Sequence, residues 1–322
     1  MNVKKKVVFT VDVEGHVGLD PVSSLIYGKT KDGRLCGIDM IMDLLDEFDI
    51  IGIFFVDIAE AWSYGMEAIA GVMCHIKDRG HIVGVHIHPD HMADRSKMFL
   101  AEYTYQEQYE IIKKCTVFYY EILGEMPLYF RAGKYGANWD TLDILGKLGY
   151  KADFSEFYGQ KWCKIEPPCT YTNIIKLENG LIEIPVNSYR SFDKIFYSRF
   201  DKIDAAMPYG EFKIVVDQLI KTESYDIIVL FAHSFSLLNW RNKPNNPCYS
   251  KVKYKRLYKQ LEYVIRELGL TRWDISNEIG IEQRDGSSEE SFLTCKGLSS
   301  WIFLLYRCGI VMKSRIDVKF RG

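Results

Sequence analysis

Two histidines one residue apart, His86 and His88, stand where an apolar, β-branched run (Ile82 to Ile87) meets Pro89. The run reads as a buried strand that proline ends, so both rings sit at its exit. Alternation along the strand turns them to one face, roughly 7 Å apart along the backbone. Two imidazoles so placed can share one metal ion. Five of the seven histidines lie between His75 and His91, so imidazole is concentrated here. A second chemical pair, Asp12 and Glu14, follows the strand-like run Val7 to Val11, and Gly15 lets the chain turn close to whatever the acids hold.

The other reactive side chains take similar positions. Arg131 follows Leu128-Tyr129-Phe130, Asp153 ends Tyr150-Lys151-Ala152, and His233 follows Ile227 to Phe231. Each has an ordinary reading when taken alone. Asp12 and Glu14 can cap a strand–helix junction, Arg131 can serve an ion pair, and His233 can be a buried structural histidine. In a mostly parallel α/β sheet, however, working residues collect at the carboxyl ends of strands. Asp12, Glu14, His86, His88, Arg131, Asp153 and His233 share that placement.

The elements that must hold them alternate. Helical spacing marks Ile38 to Phe48, Ala59 to Lys77, a capped segment from Thr104 to about Ile122, one from Asn138 to near Gly149, residues around 211–221, and Val252 to Leu268. Strands fall between them at Ile50–Val56, Ile82–Ile87, Leu128–Phe130, Tyr150–Ser155 and Ile227–Phe231. Residues 156–200 suggest loops and a less regular strand pair around Ile182–Val186. The pattern predicts an α/β fold with a parallel sheet and no internal repeat.

At 322 residues and 48% hydrophobic, the chain has room for one barrel-sized domain plus additions. A net charge of -2 gives no argument for nucleic acid as a partner. The eight cysteines include no CxxC pair, which predicts reduced thiols. The basic start, Met1 to Lys6, runs into Asp12 and Glu14 and reads as a strand rather than a signal peptide, so a cytoplasmic location is expected. The domain is expected over 1–275. Beyond it, 276–322 reads as a linker and a basic, aromatic tail (Trp301, Tyr306, Arg307, Lys313, Arg315, Lys319, Arg321). Such a tail suits peripheral contact with the inner face of a membrane, or packing on the domain or a partner.

Over roughly residues 5–270 the chain resembles the polysaccharide deacetylase superfamily (NodB homology, carbohydrate esterase family 4). Thr10-Val11-Asp12-Val13-Glu14-Gly15 is similar to its first motif, TFDDG. Gly80 through Pro89 is similar to GHEIGNHxxxHP, shortened by two residues between the histidines. Phe130 through Gly136 resembles FRxPYG, with Gly133 in place of proline and one extra residue. Tyr150 to Ser155 and Leu230 to Ser234 resemble the fourth and fifth motifs. The resemblance implies a distorted (β/α) barrel that removes acetyl groups from sugars with one divalent metal ion, zinc being the expected one. It implies Asp12 as base and Glu14, His86 and His88 as metal ligands, Glu14 displaced by one position. Arg131 would hold the base, His233 would be the general acid, and Asp153 would orient it.

The chemistry asks for these residue types. Two imidazoles and one carboxylate leave positions open for water and substrate, as hydrolytic zinc sites do. A second carboxylate takes the proton of water, and the departing amine needs a proton in turn. The tetrahedral oxyanion needs a backbone N–H, for which Tyr135 in the glycine-flanked loop is the candidate. The expected substrate is an N-acetylated, less readily an O-acetylated, sugar or glycan of surface-polysaccharide synthesis. Two rivals remain: a non-catalytic glycan-binding barrel, and a PHP-type phosphoesterase. In the latter the HxH is expected after the first strand, whereas here it follows the third.

Overall fold

The computed structural model describes residues 5–15, 18–165, 175–194, 197–222 and 227–273. In chain order the principal elements are β1 (Lys6–Val13), α1 (Ile38–Glu47), β2 (Ile53–Asp57), α2 (Ala61–Tyr64), α3 (Met66–Asp78) and β3 (Ile82–Ile87). Then come α4 (Tyr105–Leu123), β4 (Tyr129–Ala132), α5 (Trp139–Lys147), β5 (Ala152–Asp153), β6 (Ile175–Lys176) and β7 (Ile182–Glu183). The series ends with β8 (Ser188–Lys194), β9 (Tyr197–Lys202), α6 (Tyr209–Lys221), β10 (Ile227–His233) and α7 (Lys251–Leu261).

One sheet runs in the order β10, β1, β2, β3, β4, β5, β7, β6, parallel except for the β6–β7 pair. With helices after each of β1 to β4 and before β10, this is the distorted (β/α) barrel expected from the sequence, opened where β10 and β6 end the order. Local chemistry sets the helix limits. Thr104 caps α4 by accepting the Glu107 N–H, while the Glu107 carboxylate accepts the Thr104 N–H at 2.8 Å. Asn138 caps α5 by accepting the Thr141 N–H at 3.0 Å. The helical run expected over Ala59–Lys77 is cut at Gly65, whose φ of 108° ends α2.

Strand alternation sorts side chains into two cores. Val7, Phe9, Val11 and Val13 of β1, Phe54 and Val56 of β2, and Val83, Val85 and Ile87 of β3 pack outward under the helices. Val8, Ile53, Phe55, Tyr129, Ala152, Phe154, Ile182, Ile227, Val229 and Trp273 fill the inner face. Residues of the inner parity nearer the strand ends are polar. They include Thr10, Asp12, Asp57, His86, Arg131 and His233.

Two expectations change here. The fifth strand spans only Ala152–Asp153, not Tyr150–Ser155. The segment 156–200, expected as loops and a less regular strand pair, has its short pair in β6 and β7 and adds an antiparallel hairpin of β8 and β9. Cys36, Cys74, Cys115, Cys163 and Cys248 form no disulfide. No described helix is long and apolar enough to cross a membrane. The boundary expected at 275 and 276, and the basic tail with its membrane contact, lie outside the described residues.

Candidate metal centre and active site

Parity explains how Glu14 enters the site although Val13 separates it from Asp12. Val13 packs in the outer core, so the next residue turns inward again. Its carboxylate lies 2.9 Å from His88 Nε2, 3.9 Å from His86 Nε2 and 3.6 Å from His233 Nε2. Donor atoms of Glu14, His86 and His88 all fall within 4.8 Å of one another.

The His86 Nδ1–H donates to the Arg131 carbonyl at 2.8 Å, because a carbonyl can only accept. That fixes the tautomer and leaves Nε2 with its lone pair toward Glu14. Burial outweighs the attraction of Asp12 and Glu14 and pushes the His86 pKa down to about 4, so the ring is neutral. His88 behaves oppositely. Burial disfavours its charge, but the hydrogen bond and charge of Glu14, with Asp57, lift it to about 9. Burial also opposes the Glu14 carboxylate, yet His88, His233 and His86 hold its pKa far below the usual range.

Asp12, 5% exposed, accepts the Arg131 Nη1–H at 2.7 Å. Arg131 is fully buried and spends its other donors on Thr10 Oγ1 at 3.1 Å and the Phe154 carbonyl at 3.2 Å. Its guanidinium lies 4.4 Å from the Phe55 ring centre and 5.4 Å from that of Phe231. A buried charge pair is tolerated when its donors are satisfied in this way. Burial raises the Asp12 pKa, but the charges of Arg131, His86, His233 and Lys202 prevail and keep it ionised.

His233 sits beside Asp12 in register across β10 and β1. Its ring stacks on Phe235 at 4.9 Å and meets the edge of Phe231 at 4.7 Å. Its side chain is 30% exposed against 13% for Glu14, so solvent reaches the site on this side. Burial lowers its pKa; Glu14, Asp12 and Asp204 pull it up and Lys202 pushes it further down.

Asp153 is not the partner of His233. Its neighbours Ala152 and Phe154 face the inner core, so Asp153 points to the other side of β5. There its carboxylate accepts the Ser155 hydroxyl at 2.7 Å and shares a buried environment with Glu183. Strand parity therefore corrects the expected Asp153–His233 pairing.

In the loop after β4, Lys134 and Tyr135 both have positive φ, 51° and 62°. Two consecutive left-handed non-glycine residues are costly, and such strain gathers at functional loops. The Tyr135 hydroxyl accepts from Lys202 Nζ at 2.6 Å. Lys202, at the end of β9, escaped sequence reasoning because no motif surrounds it. Its ammonium stands 3.3 Å from the Phe231 ring centre, and burial lowers its pKa to about 8 despite Asp204 and Asp12. Asp57, at the end of β2, was also missed. It carried the same signal as the others, a carboxylate directly after a strand, and it accepts the His88 backbone N–H at 3.2 Å.

The donor set fits a divalent cation. A bare imidazole nitrogen and a carboxylate oxygen are both acceptors, and His86 Nε2 faces Glu14 Oε2 at a separation suited to two ligands of one ion.

No protein-family model matches the sequence, and a search of curated proteins finds no match. Among solved structures, the chain is similar to a candidate polysaccharide deacetylase from Mycobacterium smegmatis. Identity is 19% and the TM-score 0.51, over 84% of this chain and 93% of that one. A polysaccharide deacetylase from Bacillus cereus aligns at 14% identity and TM-score 0.42, over 85% of this chain and 95% of that one. A family 4 carbohydrate esterase from Streptomyces lividans aligns at 11% identity and TM-score 0.41, over 83% and 91%. The parallel order, the inward strand-end site and the match to the mycobacterial structure identify the fold as that of the polysaccharide deacetylases.

Proposed function

We propose that the protein is a metal-dependent carbohydrate deacetylase. It removes N-acetyl groups, with O-acetyl groups as the second choice, from a sugar or polysaccharide precursor of surface-polysaccharide synthesis in the cytoplasm. The observation that carries this reading is the convergence of Glu14, His86 and His88 within 4.8 Å, beside an ionised Asp12 on the same inner face.

Glu14, His86 and His88 would hold one divalent ion, zinc being the best fit to the nitrogen and oxygen donors. When bound, such an ion would polarise an acyl carbonyl and lower the pKa of a water. Asp12 accepts the proton of that water, and Arg131 fixes the orientation of its carboxylate. The Tyr135 N–H, in the strained loop after β4, is assigned to the oxyanion. His233 gives a proton to the departing nitrogen. Its lowered pKa makes that proton more available to the leaving group but less populated as pH rises.

The test is acetate release from N-acetylated sugars by the zinc-loaded full chain. Asp12→Asn should abolish release with metal content nearly intact, while Glu14→Gln should lose both. Zinc-loaded protein that binds glycans but releases no acetate across a panel of acetylated sugars would favour the binding-module reading instead.

A further inference from the structure

Beside the first cluster lies a second one that the proposed reaction does not use. Donor atoms of Asp57, Glu60 and His91 also fall within 4.8 Å of one another. Asp57 is fully buried. Its Oδ1 accepts the N–H of Ala59 at 3.1 Å and that of His88 at 3.2 Å, and its Oδ2 has no hydrogen-bond partner among the described residues. Glu60, 1% exposed, accepts the Gly15 N–H on Oε1 at 2.6 Å.

The histidine is oriented with some care. The Ser63 hydroxyl donates to the His91 carbonyl at 3.1 Å, so its oxygen is left to accept from His91 Nδ1–H at 3.0 Å. The other ring nitrogen, Nε2, then carries a lone pair and stands 4.0 Å from Glu60 Oε1. That is too far for a hydrogen bond and within the spacing of two ligands on one ion. Two acceptors facing each other across that gap, next to a buried Asp57 oxygen with no donor among the described residues, form an arrangement suited to a cation.

We propose that Asp57, Glu60 and His91 form a second binding site for a divalent first-row metal ion, such as Mn²⁺ or Zn²⁺. Two carboxylates and one imidazole suit these ions and leave positions for water. The site braces the first one. Asp57 holds the backbone of His88 and Glu60 holds that of Gly15, next to Glu14, so an ion tying Asp57 to Glu60 fixes both flanks of the first ligand set. Supporting groups of this kind are worth about 10- to 100-fold in metal affinity.

The experiment uses full-length protein stripped by a chelator and dialysed against Mn²⁺ or Zn²⁺, with bound ion counted by elemental analysis and unfolding followed by a thermal melt. The wild type should saturate at two ions per chain, His91→Ala at one and His86→Ala at one. In His91→Ala the remaining ion should bind about 10- to 100-fold more weakly. Ser63→Ala alters an exposed side chain and removes the hydroxyl that orients the ring and donates to the His91 carbonyl, leaving all three proposed ligands in place. It should weaken the second ion about tenfold or more, and it decides the matter if His91→Ala does not fold. Saturation of the wild type at one ion that His91→Ala retains overturns the proposal, as does a Ser63→Ala isotherm identical to the wild type. A single ion lost in His91→Ala but kept in His86→Ala would uphold this site and sink the first.

Discussion

At Gly133 a side chain has no room. A Cβ there would stand 2.6 Å from the Ile87 carbonyl oxygen and 2.8 Å from the His88 ring. The resembled motif has proline at this position, and the histidine motif here is two residues shorter than its counterpart. The two departures meet in space: the ring of His88 occupies the volume that a side chain at 133 would need. Gly133→Ala should therefore displace His88, costing about 1–3 kcal/mol of stability by overpacking and about 10- to 100-fold in metal affinity. Thermal melts and metal titration of the variant check this, and an unchanged affinity would refute the packing argument. Lys202 supports a second expectation. Its charge lowers the pKa of both His233 and Asp12. In Lys202→Met both values should rise, because the imidazolium loses a repelling neighbour and the carboxylate an attracting one. With Asp12 as base and His233 as acid, kcat/KM for acetate release should follow a bell-shaped pH profile, and in this variant both limbs should move to higher pH, the alkaline limb starting from below the ordinary histidine value of about 6.5. A profile that only scales down, with its limbs in place, would assign Lys202 to substrate binding alone.

At the scale of elements, strand period decides who takes part. In β1 the alternation is legible in the sequence, since Val7, Phe9, Val11 and Val13 are apolar and leave Asp12 and Glu14 on the other face. The histidine pair and Arg131 are legible for the same reason. Asp153 misled because the sheet is buried on both sides: being polar and at a strand end does not say which face a residue takes, and only Ala152 and Phe154 joining the inner core settles it. The β8–β9 hairpin was illegible for a different reason. Its residues include Arg190, Asp193, Arg199 and Asp201 among the aromatics, so no apolar run announces the strand that delivers Lys202. The parity argument makes Asp153 a stability residue. Burial raises its pKa and, together with Asp153, that of Glu183. The folded state then holds protons that the unfolded chain releases once pH exceeds the ordinary carboxylate values of about 4. Stability contributed by this pair must fall as pH rises through that range toward the raised folded values. Asp153→Asn should flatten that fall in urea unfolding and leave the pH limbs of acetate release where they are. A loss of the alkaline limb in this variant would restore the pairing with His233.

The whole molecule gathers its chemistry from distant segments. Asp12, His86, Arg131 and His233 come from four parallel strands whose register aligns them: Asp12 lies opposite His233, and His86 opposite Arg131. Because helices separate these strands, the site exists only in the folded chain, so an ion bound to it stabilises the fold by mass action, about 2.7 kcal/mol at a hundredfold excess over Kd. The pH dependence of that gain follows from the two groups that touch without metal. Glu14 has its pKa lowered from 4.5, so its contribution to the metal-free fold is present above that value and lost as pH falls. His88 has its pKa raised from 6.5 to about 9, so its contribution is complete below 6.5 and lost as pH climbs through 9. The metal-free protein should therefore hold the full benefit of this pair between 4.5 and 6.5. Metal must displace the proton of His88, so binding should release about one proton per ion below pH 9 and tighten about tenfold per pH unit as that proton becomes easier to remove. Melting curves with and without zinc, taken from about pH 6 to about pH 8, should show a stabilisation that widens with pH in the wild type. The widening should be absent in His88→Ala, which has no proton to give up. A zinc-dependent shift that stays level across the series would mean that His88 is already neutral before the ion arrives, and that its contact with Glu14 is not the resting state of the site.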